Sequence, residues 1–344
     1  LKRERDKTTP KSPFGPAPSF NSFSGAPPYN KEDILKTIRE AEEAAKKMLK
    51  ETRSPEPAAK PEEKAKEEEA PPDMDTLMGE LESLIGLDNI KENVKSLINL
   101  VKVRKLRQES GLAVPPVSLH LVFMGNPGTG KTTVARILAG LYRAVGVLSK
   151  GHLVEVDRSG LVAGYVGQTA LKTSEVIKKA LGGILFIDEA YALTAKEGTS
   201  DFGQEAVETL LKAMEDNRDD FVVIVAGYPD LMEQFISSNP GLQSRFNRYY
   251  FFEDYTGEQL MEIFRGLCRK NDYALAPEAE EYAQEFFRDL YDHRGANFGN
   301  ARDVRNFFEN VIAVHANRIS KMTSPTKEDL TLFSKEDLIA AESL

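Results

Sequence analysis

Eight residues, GNPGTGKT from Gly125 to Thr132, set glycines, a lysine and a threonine in the order G-x-x-x-x-G-K-[ST]. Glycines let backbone N–H groups converge on phosphate oxygens, and a helix starting at the end of the stretch adds its positive dipole end. Lys131 supplies a mobile cation, and the Thr132 hydroxyl is able to ligate Mg2+. The candidate phosphate-binding residues are therefore Gly125, Asn126, Pro127, Gly128, Thr129, Gly130, Lys131, Thr132 and Thr133. A second group follows in GGILFIDEA, where Asp188 and Glu189 close an apolar run. Adjacent carboxylates at a strand tip are costly unless a cation or a substrate uses them. Asp188 suits the Mg2+ shell, through water, and Glu189 suits a general base acting on a water for in-line attack. Together the two groups point to binding and hydrolysis of a nucleoside triphosphate, with ATP and Mg2+ as the cofactors.

These residues need a strand before the glycines, a helix after them and a second strand ending at Asp188. Apolar runs occur at LHLVFM (119–124), HLVEV (152–156), ILFID (184–188), FVVIVAG (221–227) and RYYFFE (248–253), and most are separated by helical stretches such as TTVARILAGLYRAV and QEAVETLLKAME. Strands alternating with helices predict a parallel sheet covered on both faces. After about residue 255 the strand signals stop, and TGEQLMEIFRGLCRK, EAEEYAQEFFRDLYD and ARDVRNFFENVIAVHANRI each read as a helix, the first capped by Thr256. The predicted fold class is α/β, a P-loop parallel sheet flanked by helices, followed by a small all-helical lid. Residues 73–254 are expected to form the nucleotide-binding domain and 255–344 the lid. Residues 1–72 are rich in Pro, Ser and charge and cannot offset their ordering entropy by burial. Within them an amphipathic helix is predicted over about 31–52, either a docking or coiled-coil element or a solvated one.

The composition excludes several classes. A net charge of -9 argues against a uniformly basic nucleic-acid binder, although a local basic channel would survive that total. With a single cysteine, Cys268, no internal disulfide forms, and a buried apolar position is expected for it. His120, His152, His293 and His315 show no paired ligand spacing. No apolar run is long enough to span a membrane, and the basic start lacks the apolar core of a signal peptide. A cytoplasmic setting is the expectation. The chain opens on Leu1 rather than methionine, which is compatible with its being a fragment.

From about Leu81 to about Arg318 the sequence resembles the AAA+ ATPases, in the branch containing stage V sporulation protein K and the red-type rubisco activases. ESLIGLDNIKENV resembles the segment that wraps the adenine, which implicates Ile85 and Gly86. NPGLQSRF resembles the arginine-finger segment and makes Arg245 the finger, with Arg248 as the alternative. GNAR resembles sensor 2 and places Arg302 on the lid against the nucleotide. The resemblance implies a ring of six subunits with Arg245 acting in trans. One departure stands out. Where many AAA+ proteins end the fourth strand with a polar sensor-1 residue, this chain has Gly227 and Tyr228, so that role has no owner.

AGYVGQTA sets a large ring, Tyr165, among glycines after the second strand. In the family this loop faces the central pore and grips a polypeptide, which implies that role for Tyr165, Val166 and Gly167. The competing reading is a tyrosine folded back on its own domain. The leading function is an ATP-driven motor that remodels an unidentified protein. A nucleic-acid motor or clamp loader shares the site but would line the loop with cations, where only Lys172 and Arg158 are near. An ATP-regulated scaffold would be expected to lose Lys131, Glu189 or Arg245, and all three are present.

Overall fold

A computed structural model describes residues 72–165, 167–194 and 202–344. The predicted helix over about 31–52, and Val166, lie outside the described residues. Five parallel strands make the main sheet: β1 Leu121–Gly125, β2 Leu153–Val156, β3 Ile184–Ile187, β4 Val222–Gly227 and β5 Tyr249–Phe252, in the spatial order β2-β3-β4-β1-β5. All five correspond to the apolar runs of the sequence. The register pairs Leu121 with Ile224, Ile187 with Val225, and Val122 with Tyr249.

β3 is buried along its whole length, as a strand covered on both faces must be. Alternation splits the core in two. Leu121, Phe123, Ile184 and Phe186 face one side, where they meet the helices α1 Met74–Ser83, α2 Asp88–Glu109 and α3 Lys131–Ala144. Val122, Leu185 and Ile187 face the other, against a short helix α4 Arg158–Leu161, then α5 Gln168–Ala180, α6 Phe202–Asp216 and α7 Pro229–Ser237. Successive strand residues point to opposite faces, so each strand serves both layers. Another short helix, α8 Pro240–Arg245, leads into β5. The carboxyl ends of β1, β3 and β4 lie side by side, the edge at which open α/β sheets bind ligands.

The lid begins with α9 Gly257–Lys270, whose Thr256 cap forms a reciprocal capping box with Gln259. It continues through α10 Pro277–Asp292, α11 Ala301–Ile319, α12 Lys327–Thr331 and α13 Lys335–Glu342. Phe264 centres its core, with ring centroids 5.3 Å from Phe287 and 5.6 Å from Phe307. The lid is helical apart from one addition. Ala274–Leu275 (β6) and Leu332–Phe333 (β7) pair in parallel, fixed by Tyr273 stacked on Phe333 at 4.3 Å. Two residues are too few to show a period of two, which is why the sequence reads here as all helix.

Candidate nucleotide site

The glycine-rich segment turns between β1 and α3 and opens onto a cleft of about 540 Å³. Gly125, Pro127, Gly128, Gly130, Lys131, Thr132 and Thr133 line it, with Asp188 and Glu189 opposite. Two members of the motif support it from beneath instead. Thr129 is fully buried and its hydroxyl donates to the Asn126 carbonyl at 2.9 Å. The Asn126 amide donates to Asp254 at 3.0 Å. Lys131 donates through Nζ to the carbonyls of Gly125 and Asn126 at 2.9 and 2.8 Å. Burial lowers its pKa to about 8; Asp188 pulls upward and the nearby Arg302 pushes further down.

The Thr132 hydroxyl donates to Glu155 Oε1 at 3.3 Å. The Thr132 hydroxyl and the Asp188 carboxylate line the same cleft, oxygen donors of the kind that suit Mg2+, which takes one or two protein ligands and completes its shell with water and phosphate. The sequence reading missed Glu155, although a charged residue inside an otherwise apolar strand was the available signal. Leu84, Ile85, Leu87 and Ile263 add an apolar part to the cleft wall, with Ser83 beside them in the chain. Gly86 is not part of the wall. It turns the chain there with φ 60 and leaves room for Gln259, whose Nε2 would lie 2.6 Å from a Cβ.

The lid closes the site from above through one polar knot. Asp254 accepts from Asn126 and, at 2.7 Å, from Asn300 Nδ2, and it pairs with Arg294 at 3.6 Å. Asn300 is fully buried; it also donates to Pro127 O at 3.3 Å and accepts from Tyr255 N at 2.8 Å. The backbone of 299–302 lies so close over the loop that a Cβ on Gly128 would strike Gly299 O and stand 2.8 Å from Arg302 N. With φ 73, Gly128 is required both for its conformation and for this approach. Arg302 and Arg305, one turn apart on α11, line the cleft from the lid. Asn300 and Asp254 were missed because the contact joins residues 46 apart in sequence. Asn300 does sit inside the GNAR stretch that gave Arg302.

A family model described as "ATPase family associated with various cellular activities (AAA)" matches residues 121–254, and an AAA lid domain matches 256–343. Stage V sporulation protein K of Bacillus subtilis (strain 168) is 45% identical over 76% of this chain and 82% of its own length. Protein CbbX of Cereibacter sphaeroides is 44% identical over 75% of this chain and 84% of its own. The chloroplastic ribulose bisphosphate carboxylase/oxygenase activase of Cyanidioschyzon merolae is 43% identical over 74% and 87%. The chain belongs to the AAA ATPases. Its branch is the one that holds these three relatives. Among solved structures, the FIGL-1 AAA domain with ADP aligns at TM-score 0.54 and 16% identity over 78% of this chain and 89% of that one. A point mutant of Thermotoga maritima RuvB aligns at 0.51 and 19% over 76% and 71%. These last two show a shared fold alone.

In this AAA ATPase, Arg245 is not among the walls of its own cleft. It ends α8, pairs with Glu215 at 3.2 Å and donates to Ser244 Oγ at 3.4 Å. Neighbouring His120 is held down to about 4, by burial first and then by the Arg245 charge, so it is a neutral core acceptor for Val223 N. Cys268 is buried in the lid, and burial pushes its thiol up to about 12. Tyr165 is 73% exposed, and nothing lies within 4 Å of where a Cβ on Gly164 or Gly167 would stand. The tip of the loop is open while its base is fastened. Thr169 accepts from Ala163 N at 3.0 Å, Thr173 donates to Leu161 O at 3.1 Å, and Lys172 donates to Ser159 O and Val162 O at 2.6 and 3.0 Å. Among the described residues, no helix is long and apolar enough to cross a membrane.

Proposed function

We propose that this AAA ATPase assembles as a ring and couples ATP hydrolysis to remodelling of a protein target, gripped through the loop that carries Tyr165. The observation that carries the proposal is the Tyr165 ring, 73% exposed on a loop whose base is hydrogen-bonded to α5. A flat apolar face presented in this way contacts almost any polypeptide without selecting its sequence. A relative named as the activase of another enzyme supports a protein as the target.

The chemistry assigned to the cleft follows from its walls. Lys131 and Arg302 act in cis on the phosphates, and Thr132 with Asp188 would hold Mg2+, largely through water. Glu189 polarises the attacking water. When bound, the cation neutralises charge developing on the phosphate oxygens. Arg245 is assigned to the neighbouring subunit's nucleotide, and its absence from its own cleft supports this. Head-to-tail contacts that close give a ring, and the family resemblance implies six subunits.

The nucleic-acid alternative loses its two nearest cations. The Lys172 ammonium is held by two backbone carbonyls, and Arg158 donates to the Ala192 carbonyl. The test uses fluorescein-labelled casein as an unfolded probe. Tyr165→Ala is expected to keep thermal stability and ATP affinity and to lose casein-stimulated turnover; Tyr165→Phe keeps most of it. A packed Tyr165 would instead cost about 3–5 kcal/mol on truncation. Such a loss of stability, with ATPase falling in proportion, would overturn the reading.

A further inference from the structure

The helix α5 that follows the Tyr165 loop is fixed along one side. Thr169 and Thr173 are fully buried, and Ile177 and Ala180 carry the same stripe into the core. The Thr169 hydroxyl accepts from Ala163 N and the Thr173 hydroxyl donates to Leu161 O, bonds that set how the helix is turned about its axis. Leu171 lies midway between the two threonines. With about 3.6 residues per turn it therefore points the opposite way, out from the domain. It is 68% exposed.

The rest of that outward side is polar. Gln168, Glu175, Lys178 and Lys179 are exposed there, and Leu171 is the apolar residue among them. A single exposed leucine is ordinary on a protein surface; the position of this one is what sets it apart. The Gln168 N–H donates to Tyr165 O at 3.3 Å, a bond that keeps the two α-carbons within about 7 Å. Leu171 stands one helical step, about 5–6 Å, beyond Gln168. The two exposed apolar side chains are thus rooted no more than about 13 Å apart, the length of about four residues of extended chain. They differ in freedom. Tyr165 follows Gly164 in a loop where Gly167 adopts φ 77 and neither glycine has a neighbour within 4 Å of a Cβ. Leu171 stands between residues that are fastened to the domain, Thr169 and Lys172.

We propose that Leu171 is a second, fixed contact for the polypeptide gripped by Tyr165, and that it selects segments carrying apolar side chains. The inference rests on the Tyr165 loop being the gripping element. A flat ring on a loose backbone accepts nearly any chain. Leu171 offers no polar atom and a direction set by the helix, so only an apolar side chain gains by covering it. An amide or charged side chain laid there gives up water and finds no partner. The favoured target is an extended segment with apolar residues on one side, as an unfolded or loosened chain exposes. A stable interface between copies buries a broad patch with an apolar centre, whereas Leu171 stands alone on a charged side.

The experiment compares two fluorescein-labelled Gly-Ser peptides, one with leucine and one with glutamine at every fourth position. Their affinities are read by fluorescence anisotropy on the full chain with a non-hydrolysable ATP analogue, beside thermal unfolding and sedimentation. The parent is expected to bind the leucine peptide about 10-fold more tightly, the scale of burying one apolar side chain. Leu171→Gln is expected to bind both peptides alike, with a melting temperature near parental, as substitution of an exposed residue allows. Leu171→Met restores the preference. Tyr165→Ala weakens both peptides together. A preference that survives in Leu171→Gln, while Tyr165→Ala still weakens both, overturns the Leu171 assignment and leaves the Tyr165 reading intact. Parental affinity of Tyr165→Ala for both peptides overturns that reading, and this inference with it. Leu171→Gln that sediments as a smaller species than the parent would show a contact between copies and also overturns it.

Discussion

Lys131 shows how one side chain ties protein charge to ligand charge. Two loop carbonyls hold its ammonium, yet burial brings its pKa down from 10.5 to about 8. The folded-state value lies below the unfolded one, so below pH 8 the buried cation opposes folding in full. That opposition fades as pH rises from about 8 toward 10.5. Nucleotide phosphates favour the charged form, so binding draws a proton from solution wherever the free lysine is partly neutral. Calorimetry of ATP binding in buffers of different ionisation enthalpy is expected to show net proton uptake that grows between about pH 7 and pH 9. Heats independent of the buffer across that range would contradict a depressed Lys131. The phosphate loop and the Asp188–Glu189 pair were legible in the sequence because each is a contiguous pattern in strand–loop–helix context. Asn300 and Asp254 were not, because each acts on a partner that only the fold brings near.

At the scale of elements, the loop between α4 and α5 combines an open tip with a fastened base. Lys172 supplies two of the fastenings, to Ser159 O and Val162 O, and reaches them from the first turns of α5. From sequence it could equally have been a free cation for phosphate. Arg158 donates to Ala192, whose own N–H is bonded to Glu189 O at 2.8 Å, so the loop base and the turn after the acidic pair share one hydrogen-bonded path. Lys172→Met is expected to leave basal ATP turnover within about two-fold of parental while casein-stimulated turnover falls several-fold, because the grip alone loses its footing. Equal stimulation of variant and parent would show that the base of the loop carries no load. The five sheet strands were readable because each is an apolar run of ordinary strand length. The β6–β7 pair was not, since aromatic stacking holds it rather than any pattern in the chain.

At the scale of the whole molecule, the cleft is lined by two lid cations, Arg302 and Arg305, but not by Arg245. If Arg245 completes a neighbour's site, Arg245→Ala binds ATP and hydrolyses it about 10³-fold or more slowly, the range known for arginine fingers. Mixing it equally with Lys131→Ala joins an intact Lys131 site to an intact Arg245 at about a quarter of randomly assembled interfaces, so activity returns to about that fraction. Proven co-assembly without recovery would count against action in trans. The most direct test of protein remodelling asks what Tyr165 touches. A photoreactive phenylalanine analogue is placed at residue 165 in a Glu189→Gln background, so that ATP is bound but held. The same group at exposed Tyr249 serves as control. The prediction is ATP-dependent cross-linking to fluorescein-labelled casein from position 165 and none from 249. Cross-links that form only within the protein's own domain, or equally from both positions, would contradict the account.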